Sequence, residues 1–336
     1  MDLLNAIVAL LNFVFIPAAA YGAQLALGAL GVTLIYGILR FSNFAHGDTM
    51  AFGTAMVILF TWWFQGMGVT LGPLPTALLA LPFGIALTSA LVLGTDRVVY
   101  RFYRKQKAAP VILVMVSLGV MFVMNGITRV IIGVEEIRFE DGERFVINAN
   151  DFKAATGLAE GLALRTTQVL TIATAVIVVA ALFWFLNRTR TGKSMRAFSD
   201  NEDLALLSGI NPERVVMVTW IIAAGLATIA GTLYGLDKAF KAFNYFQLLL
   251  PIFAAAIVGG LGNPLGAIAG GFLVAFSEVA FTYAWKKVAT YVLPESLAPD
   301  GLAQLLSTDY KFAVSFAILI IVLLFKPTGL FKGKSV

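Results

Sequence analysis

The sequence predicts an all-α polytopic membrane protein with about eight to nine transmembrane helices in one domain spanning residues 1–336, and three observations support this. Hydrophobic residues fill 59% of the 336 positions and charged residues only 13%, against about 25% charged in ordinary soluble domains. Mean hydropathy is +0.87. Apolar runs of the roughly 20 residues that cross a bilayer recur from end to end with short breaks between them.

The first run, Leu3 to Ile16, is 14 residues long and contains Asn5 and Asn12. It is short for a span and stops at Pro17, so residues 1–18 are expected to form an interfacial helix. No Lys or Arg precedes the run, so the basic n-region of a cleaved signal peptide is missing. Spans are expected near 20–39, 48–64, 76–96, 110–133, 166–187, 214–235 and 310–326. The stretch 248–284 is long enough for two and is interrupted by Gly259, Gly260, Gly262, Asn263, Pro264 and Gly266. Broken backbone at membrane depth survives only where protein or a water-filled cavity satisfies it, which predicts a helical pair meeting at a break. Gly262, Gly266 and Gly270 recur every four residues, as do Gly231 and Gly235, forming small-residue ridges that let helices approach. Packing is the preferred role of these ridges, and substrate passage along them is the alternative.

Orientation follows Lys and Arg, which accumulate in short cytoplasmic loops. Three clusters mark that side: Arg97, Arg101, Arg104, Lys105 and Lys107; Arg188, Arg190, Lys193 and Arg196; Lys326, Lys332 and Lys334. The external loop 134–165, acidic between Glu135 and Glu160, then faces outward, as does the segment around Asp237 to Tyr245. Nine crossings fit, N-terminus out and C-terminus in, with Lys286 and Lys287 breaking the rule from an external position. The net charge of +5 is accounted for by orientation, and no basic aromatic stripe points to nucleic acid. Cysteine is absent, which removes disulfides, thiolate nucleophiles and Cys-based metal sites.

The cytoplasmic loop 188–213 spells its own helix. Ser199-Asp200-Asn201-Glu202 reads as a capping box, with Ser199 and Glu202 each satisfying the other's backbone N–H. Leu204 and Leu207 share a face, Gly209 ends the helix in the left-handed conformation, and Asn211-Pro212 starts the next one. Such a capped amphipathic helix suits docking into a partner's groove; a connecting loop without special purpose is the plainer alternative. Gly192-Lys193-Ser194 imitates the end of a phosphate-binding loop, but the required earlier glycine is Asn187, at the end of a span. No nucleotide site is legible, so ATP, if used, is bound by another subunit.

Three runs carry a family resemblance: Met195 to Asn211 (MRAFSDNEDLALLSGIN), Tyr36 to Asp48 (YGILRFSNFAHGD) and Ala256 to Gly266 (AIVGGLGNPLG). In this order they resemble the branched-chain amino-acid ABC transporter permeases of the LivH type, from about Tyr21 to Gly329. The resemblance implies that loop 188–213, with Arg196, Ser199, Glu202, Leu204, Leu207 and Gly209, contacts ATP-binding cassette subunits. It also implies a second, LivM-like permease subunit, a periplasmic or extracellular solute-binding protein, and a place in the lipid of the inner membrane. The expected cargo is branched-chain amino acids or related amino acids, amides or urea, with no ATPase site, cofactor or metal in this chain. The sequence departs from the pattern in its first run and in the external segment Trp285 to Thr308. Read from the residues alone, an ion-coupled secondary transporter is the rival, since broken helices also mark that class. No internal repeat supports it, and neither a channel filter nor a catalytic constellation is legible.

Polar groups inside apolar segments are the remaining candidates. Asn43, His46 and Asp48 lie where one span gives way to the next. The preferred structural reading has Asp48 capping a helix from Thr49 while Asn43 and His46 secure the broken backbone at Gly47; the alternative places them on the translocation pathway. A lone His is a poor metal site. Glu278 lies about 20 Å along its helix from Pro264, in the outer part of the membrane. There it either attracts an ammonium group in the pathway or pairs with Lys286 or Lys287.

Overall fold

The computed structural model describes residues 2–139, 141–292, 301 and 303–331. The helices are α1 (Asp2–Leu39), α2 (His46–Gly66), α3 (Ala77–Lys105), α4 (Pro110–Ile132), α5 (Ala149–Thr156), α6 (Thr166–Arg188) and α7 (Arg190–Asp200), followed by α8 (Glu202–Leu207), α9 (Pro212–Lys238), α10 (Ala242–Gly259), α11 (Pro264–Thr282), α12 (Lys286–Val292) and α13 (Lys311–Phe325). A two-stranded antiparallel ribbon, β1 (Phe145–Ile147) with β2 (Leu164–Arg165), closes the long loop before α6. Among the described residues eight helices are long and apolar enough to cross a membrane: α1, α3, α4, α6, α9, α10, α11 and α13 with its leading turn Thr308–Tyr310. The span expected at 48–64 is α2, 21 residues long and not among those eight.

α1 does not end at Pro17, where the sequence predicted the end of a separate helix over residues 1–18. The helix runs unbroken through Pro17 because a π-turn at Leu11–Phe15 precedes it. Pro lacks an N–H and its ring crowds the carbonyl four residues back; the wider π-turn relieves both. At 1.5 Å per residue the 38 residues of α1 extend about 57 Å, nearly twice the hydrocarbon thickness. The surplus turns stand outside the span, where Asn5 and Asn12 accept hydrogen bonds from the backbone of Glu160 and Ala163 and Ala6 and Ala9 pack on Val288 of α12.

The core lies around the second half of α1, buried on all sides between Ala23 and Ile35. Close approach to α11, α10 and α2 is set by small residues: a Cβ at Gly22 would meet Phe272, one at Gly28 Ile252, one at Gly31 His46, and one at Gly271 Ala26. Outer helices carry the lipid-facing surface, with Phe122 on α4, Trp184 on α6 and Phe325 on α13 all exposed.

The break between α10 and α11 is present, but at the end of the bundle and not at membrane depth. The two helices have 18 and 19 residues, about 27 and 28 Å, so each is a full span. Gly260 (φ 110°) and Gly262 (φ 81°) make the turn, so Gly262 is not part of a helical ridge. Gly266 and Gly270 do form one, in backbone contact with Gly259 and Ala255 of α10. The chain after α13 closes over this turn: Leu330 N–H donates to Val258 (2.8 Å), Phe331 N–H to Gly259 (3.2 Å), and the Asn263 side chain to the Phe331 carbonyl (2.9 Å). Lys332 and Lys334 lie outside the described residues, as do 293–300 and 302 of the departing segment Trp285 to Thr308.

Candidate coupling and translocation site

Loop 188–213 folds as two helices joined at an extended residue, Asn201 (φ −151°). The Thr189 side chain caps α7 by accepting from Gly192 N–H (3.0 Å), and Asn201 caps α8 by accepting from Leu204 N–H (3.0 Å). The capping box expected of Ser199 and Glu202 therefore does not form. Ser199 belongs to the last turn of α7, and its hydroxyl donates to the Gly37 carbonyl (3.0 Å), one of the carbonyls left open at the end of α1. Arg40 Nη2 returns a bond to the Ser199 carbonyl (2.6 Å) from a left-handed residue, φ 58°. Gly192, inside α7, allows that helix to pack on the Phe185 and Leu186 backbone, so Gly192-Lys193-Ser194 is helix and no phosphate loop. Beyond α8 the expected punctuation holds: Gly209 is left-handed (φ 79°), Asn211 accepts from Arg214 N–H, and Pro212 opens α9.

α8 buries Ala205 and turns Leu204 and Leu207 outward, 60% and 85% exposed, beside Leu206. Arg196 and Glu202 are exposed as well. Between α7 and the α10–α11 turn lies an apolar-walled cavity of about 390 Å³, with Gly37, Leu186, Met195, Ser199, Gly262 and Pro264 in its wall. Two motifs about 60 residues apart in sequence thus meet the end of α1 at one end of the bundle.

A second connection was not read from the sequence. Glu213, in the first turn of α9, pairs with Arg101 (3.3 Å) on α3. The buried Asp96 accepts from Arg104 and from Trp220 Nε1 (2.8 Å). Tyr100 stacks on Trp220 with ring centroids 5.3 Å apart and donates to Asn43 Oδ1 (3.1 Å). Asp96 and Tyr100 sit on a π-turn, Asp96–Tyr100, whose position no propensity announces; a carboxylate at the edge of an apolar run was the available signal.

α2 begins at His46 and not at Thr49. Asp48 is consequently inside the first turn and caps nothing; Oδ1 accepts from Asn125 Nδ2 of α4 (2.6 Å) while Oδ2 has no partner. Its charge still favours the helix start, where the dipole is positive. Asn43 accepts from Ala45 N–H (3.2 Å), and Gly47, where broken backbone was expected, lies inside the helix. The His46 ring lies against Gly31, eight residues before the end of α1, and its Nε2 has no partner. Phe44 stacks on Phe253 at 5.0 Å. Residues 40–45 thus turn back into the bundle, and α2 starts inside it.

At the opposite end Glu278 is 1% exposed and pairs with neither Lys286 nor Lys287. It accepts from the Ser315 hydroxyl of α13. Lys287 bonds Glu160 (2.7 Å) and covers the Phe13 ring at 4.8 Å, which accounts for a lysine on the side where acids prevail. Burial raises the Glu160 carboxyl, but hydrogen bonds from Lys287 and Tyr291 and the charges of Lys287 and Lys153 outweigh it and hold it below the usual range. Among the described residues no group of three or more His, Cys, Asp or Glu side chains is placed to hold a metal.

Comparison with known proteins gives concordant results. Residues 15–323 match the family described as branched-chain amino acid transport system / permease component. The high-affinity branched-chain amino acid transport system permease protein LivH of Escherichia coli (strain K12) is 30% identical over 315 residues, 92% of this chain and 91% of that one. BraD, a permease protein of the same description from Pseudomonas aeruginosa, is 28% identical over 315 residues, 92% of each chain. A probable branched-chain amino acid transport permease protein LivH from Methanocaldococcus jannaschii is 26% identical over 319 residues, 93% of this chain and 90% of that one.

Proposed function

This chain belongs to the branched-chain amino acid transport permease family and is the multi-pass inner-membrane permease subunit of an ABC importer, and from that premise we propose how ATP hydrolysis on partner subunits drives it. Its cargo is a branched-chain amino acid or a related small polar solute. ATP is bound and hydrolysed by ATP-binding cassette subunits, a second LivM-like permease completes the membrane unit, and a soluble binding protein delivers cargo to the end bearing loop 134–165. Lipid covers the outward faces of α4, α6 and α13.

One observation carries this reading: α8 presents Leu204, Leu206 and Leu207 to the exterior at the end of the bundle where α7, the end of α1 and the α10–α11 turn converge. An exposed apolar patch on a capped helix is a docking surface, and α7 is the lever behind it. Displacement of α7 loads α1 through the Ser199–Gly37 and Arg40–Ser199 bonds, while displacement of α9 loads α3 through Glu213–Arg101. The end carrying Arg40, Arg97 to Lys107 and Arg188 to Arg196 is the cytoplasmic one by the positive-inside rule, which puts α8 on the side where ATP is available. Asn43, His46, Asp48 and Glu278 are the pathway candidates, the first three at the inward start of α2 and Glu278 nearer the other end.

The test is reconstitution of the chain with its ATP-binding subunits, second permease and binding protein in proteoliposomes. ATP-dependent uptake of leucine that stops when the ATP-binding subunits are omitted is the expected result. Leucine uptake by this chain alone, driven by an ion gradient, would replace the reading with a secondary carrier.

A further inference from the structure

α7, the helix between the α8 patch and the end of α1, carries cations that the fold leaves without partners. Residues 188–199 hold four basic side chains, Arg188, Arg190, Lys193 and Arg196, and no acid before Asp200. All four are exposed, and among the described residues none is in an ion pair. In the neighbouring basic cluster, by contrast, Arg101 is bound to Glu213 and Arg104 to Asp96. α7 is also amphipathic: Gly192, Met195 and Phe198 are buried, while Arg190, Lys193 and Arg196 follow at three-residue spacing on the open side. A basic amphipathic helix of this form belongs at a membrane surface. Its depth is set by α6, which exposes Val176, Ile177 and, near its end, Trp184. An exposed Trp marks the headgroup level. Trp184 stands one turn before Arg188, and α7 turns back across that end of α6, with Gly192 against the Phe185 and Leu186 backbone.

The cavity of about 390 Å³ beside α7 is walled by Leu34, Ile38, Leu186 and Met195, with Arg196 and Asp200 on the α7 side. Leu265, in the same wall, is 61% exposed, so the cavity reaches the outer surface of the bundle. Thr33, also in the wall, is 1% exposed, and its Oγ1 has no partner. It lies one turn before Gly37, about 6 Å deeper along α1. A hydroxyl buried without an acceptor is costly, so the cavity suits a ligand that is largely apolar and brings an oxygen to that depth. We propose that α7 and this cavity bind one anionic phospholipid of the cytoplasmic leaflet. Arg196 takes the phosphate in the field of Arg190 and Lys193, an ester carbonyl accepts from the Thr33 hydroxyl, and an acyl chain lies between Leu34, Ile38, Leu186 and Met195. A zwitterionic headgroup would bring a further cation beside three that are already there, so charge selects the anionic lipid. Seated beside Ser199, the lipid braces α7 against α1, where Ser199 bonds the Gly37 carbonyl. The site is independent of the cargo; only its effect on the lever rests on the ATP-driven reading.

The assay is hydrogen exchange followed by mass spectrometry on the complete complex of both permeases and the ATP-binding subunits. The complex is placed in nanodiscs of phosphatidylcholine alone, or of phosphatidylcholine with phosphatidylglycerol of the same chains. Phosphatidylglycerol should slow exchange at residues 183–199 and 36–40 by at least about fivefold, the weight of one Lys or Arg at an anionic surface, and high salt should erase the difference. Inorganic phosphate added to the phosphatidylcholine discs should have no such effect; equal protection by it would make the site one for free phosphate and overturn the proposal. Arg190→Gln with Lys193→Gln and Arg196→Gln should exchange in phosphatidylglycerol as the wild type does in phosphatidylcholine, while Arg190→Lys with Lys193→Arg and Arg196→Lys should keep the protection. Leu34→Phe, which fills the cavity and leaves every cation in place, should lose it. Where the triple neutral variant fails to assemble, Arg196→Gln alone must lower the protection. Equal exchange of the wild type in the two lipids, or an undiminished difference in the neutral or cavity-filled variants, overturns the proposal and leaves the cations to orientation alone. ATP-driven leucine uptake by the same complex reports the permease reading separately.

Discussion

Two single substitutions distinguish the link at Ser199 from a helix cap. Asn201→Ala removes the acceptor for Leu204 N–H and should cost α8 about 0.5–2 kcal/mol, which raises local opening by roughly 2- to 30-fold. Ser199→Ala leaves that cap intact and removes the donor to the Gly37 carbonyl, a net loss of about 0.5–1.5 kcal/mol at the contact between α7 and α1. Hydrogen exchange followed by mass spectrometry on the purified complex resolves the two. Asn201→Ala should speed exchange across residues 204–208 and leave the end of α1 unchanged. Ser199→Ala should speed exchange at residues 36–40 and the end of α7 with α8 protected as in wild type, and should lower uptake per ATP hydrolysed. Faster exchange of α8 in Ser199→Ala, equal to that in Asn201→Ala, would refute the lever and restore the capping box.

Three further predictions follow from the two ends of the bundle. Because the Glu160 carboxyl is held below its ordinary value of 4.5, the Glu160–Lys287–Tyr291 clamp is at full strength above about pH 4.5 and is lost as pH falls through the depressed value; exchange at residues 158–163 should rise only in acid, and Glu160→Gln should remove that pH dependence. Trp220→Phe deletes the indole donor to Asp96 and should destabilise the complex by about 1.5–3 kcal/mol; a change below about 0.5 kcal/mol in denaturant titration would show that Arg104 alone satisfies the carboxylate. A cysteine at Asn201 should react with an impermeant thiol reagent only from the cytoplasmic side and one at Asn148 only from outside, and labelling of Asn201 from outside would reverse the orientation.

Much of the fold was legible because bilayer thickness imposes a length on every apolar run, and because Gly209, Asn211-Pro212 and the Gly259–Pro264 break are local backbone signals. What escaped depends on contacts between segments far apart in sequence. Ser199 looked like a cap because Glu202 follows it at the right spacing, yet the carbonyl of Gly37, 162 residues away, is its partner. Pro17 looked like a helix end because a π-turn cannot be read from composition. The inward start of α2 was hidden for the same reason: Phe44 and His46 are held inside by Phe253 and Gly31, and nothing in residues 40–48 announces the depth. Of the pathway candidates, Glu278 was recognised as an unusual carboxylate, but its neighbours Tyr21, Lys311 and Ser315 come from helices at the two extremes of the chain.

The central claim is that α8 docks the ATP-binding subunits, and Leu204→Asp with Leu207→Asp tests it most directly. Both side chains are exposed in this chain, so the double variant should insert and express like wild type, whereas two carboxylates pressed into an apolar groove are strongly unfavourable. Co-purification of the ATP-binding subunits and leucine uptake, measured on the same preparation, should both fall by more than about tenfold while association with the second permease is kept. Full retention of partner binding and of ATP-driven uptake would contradict the account.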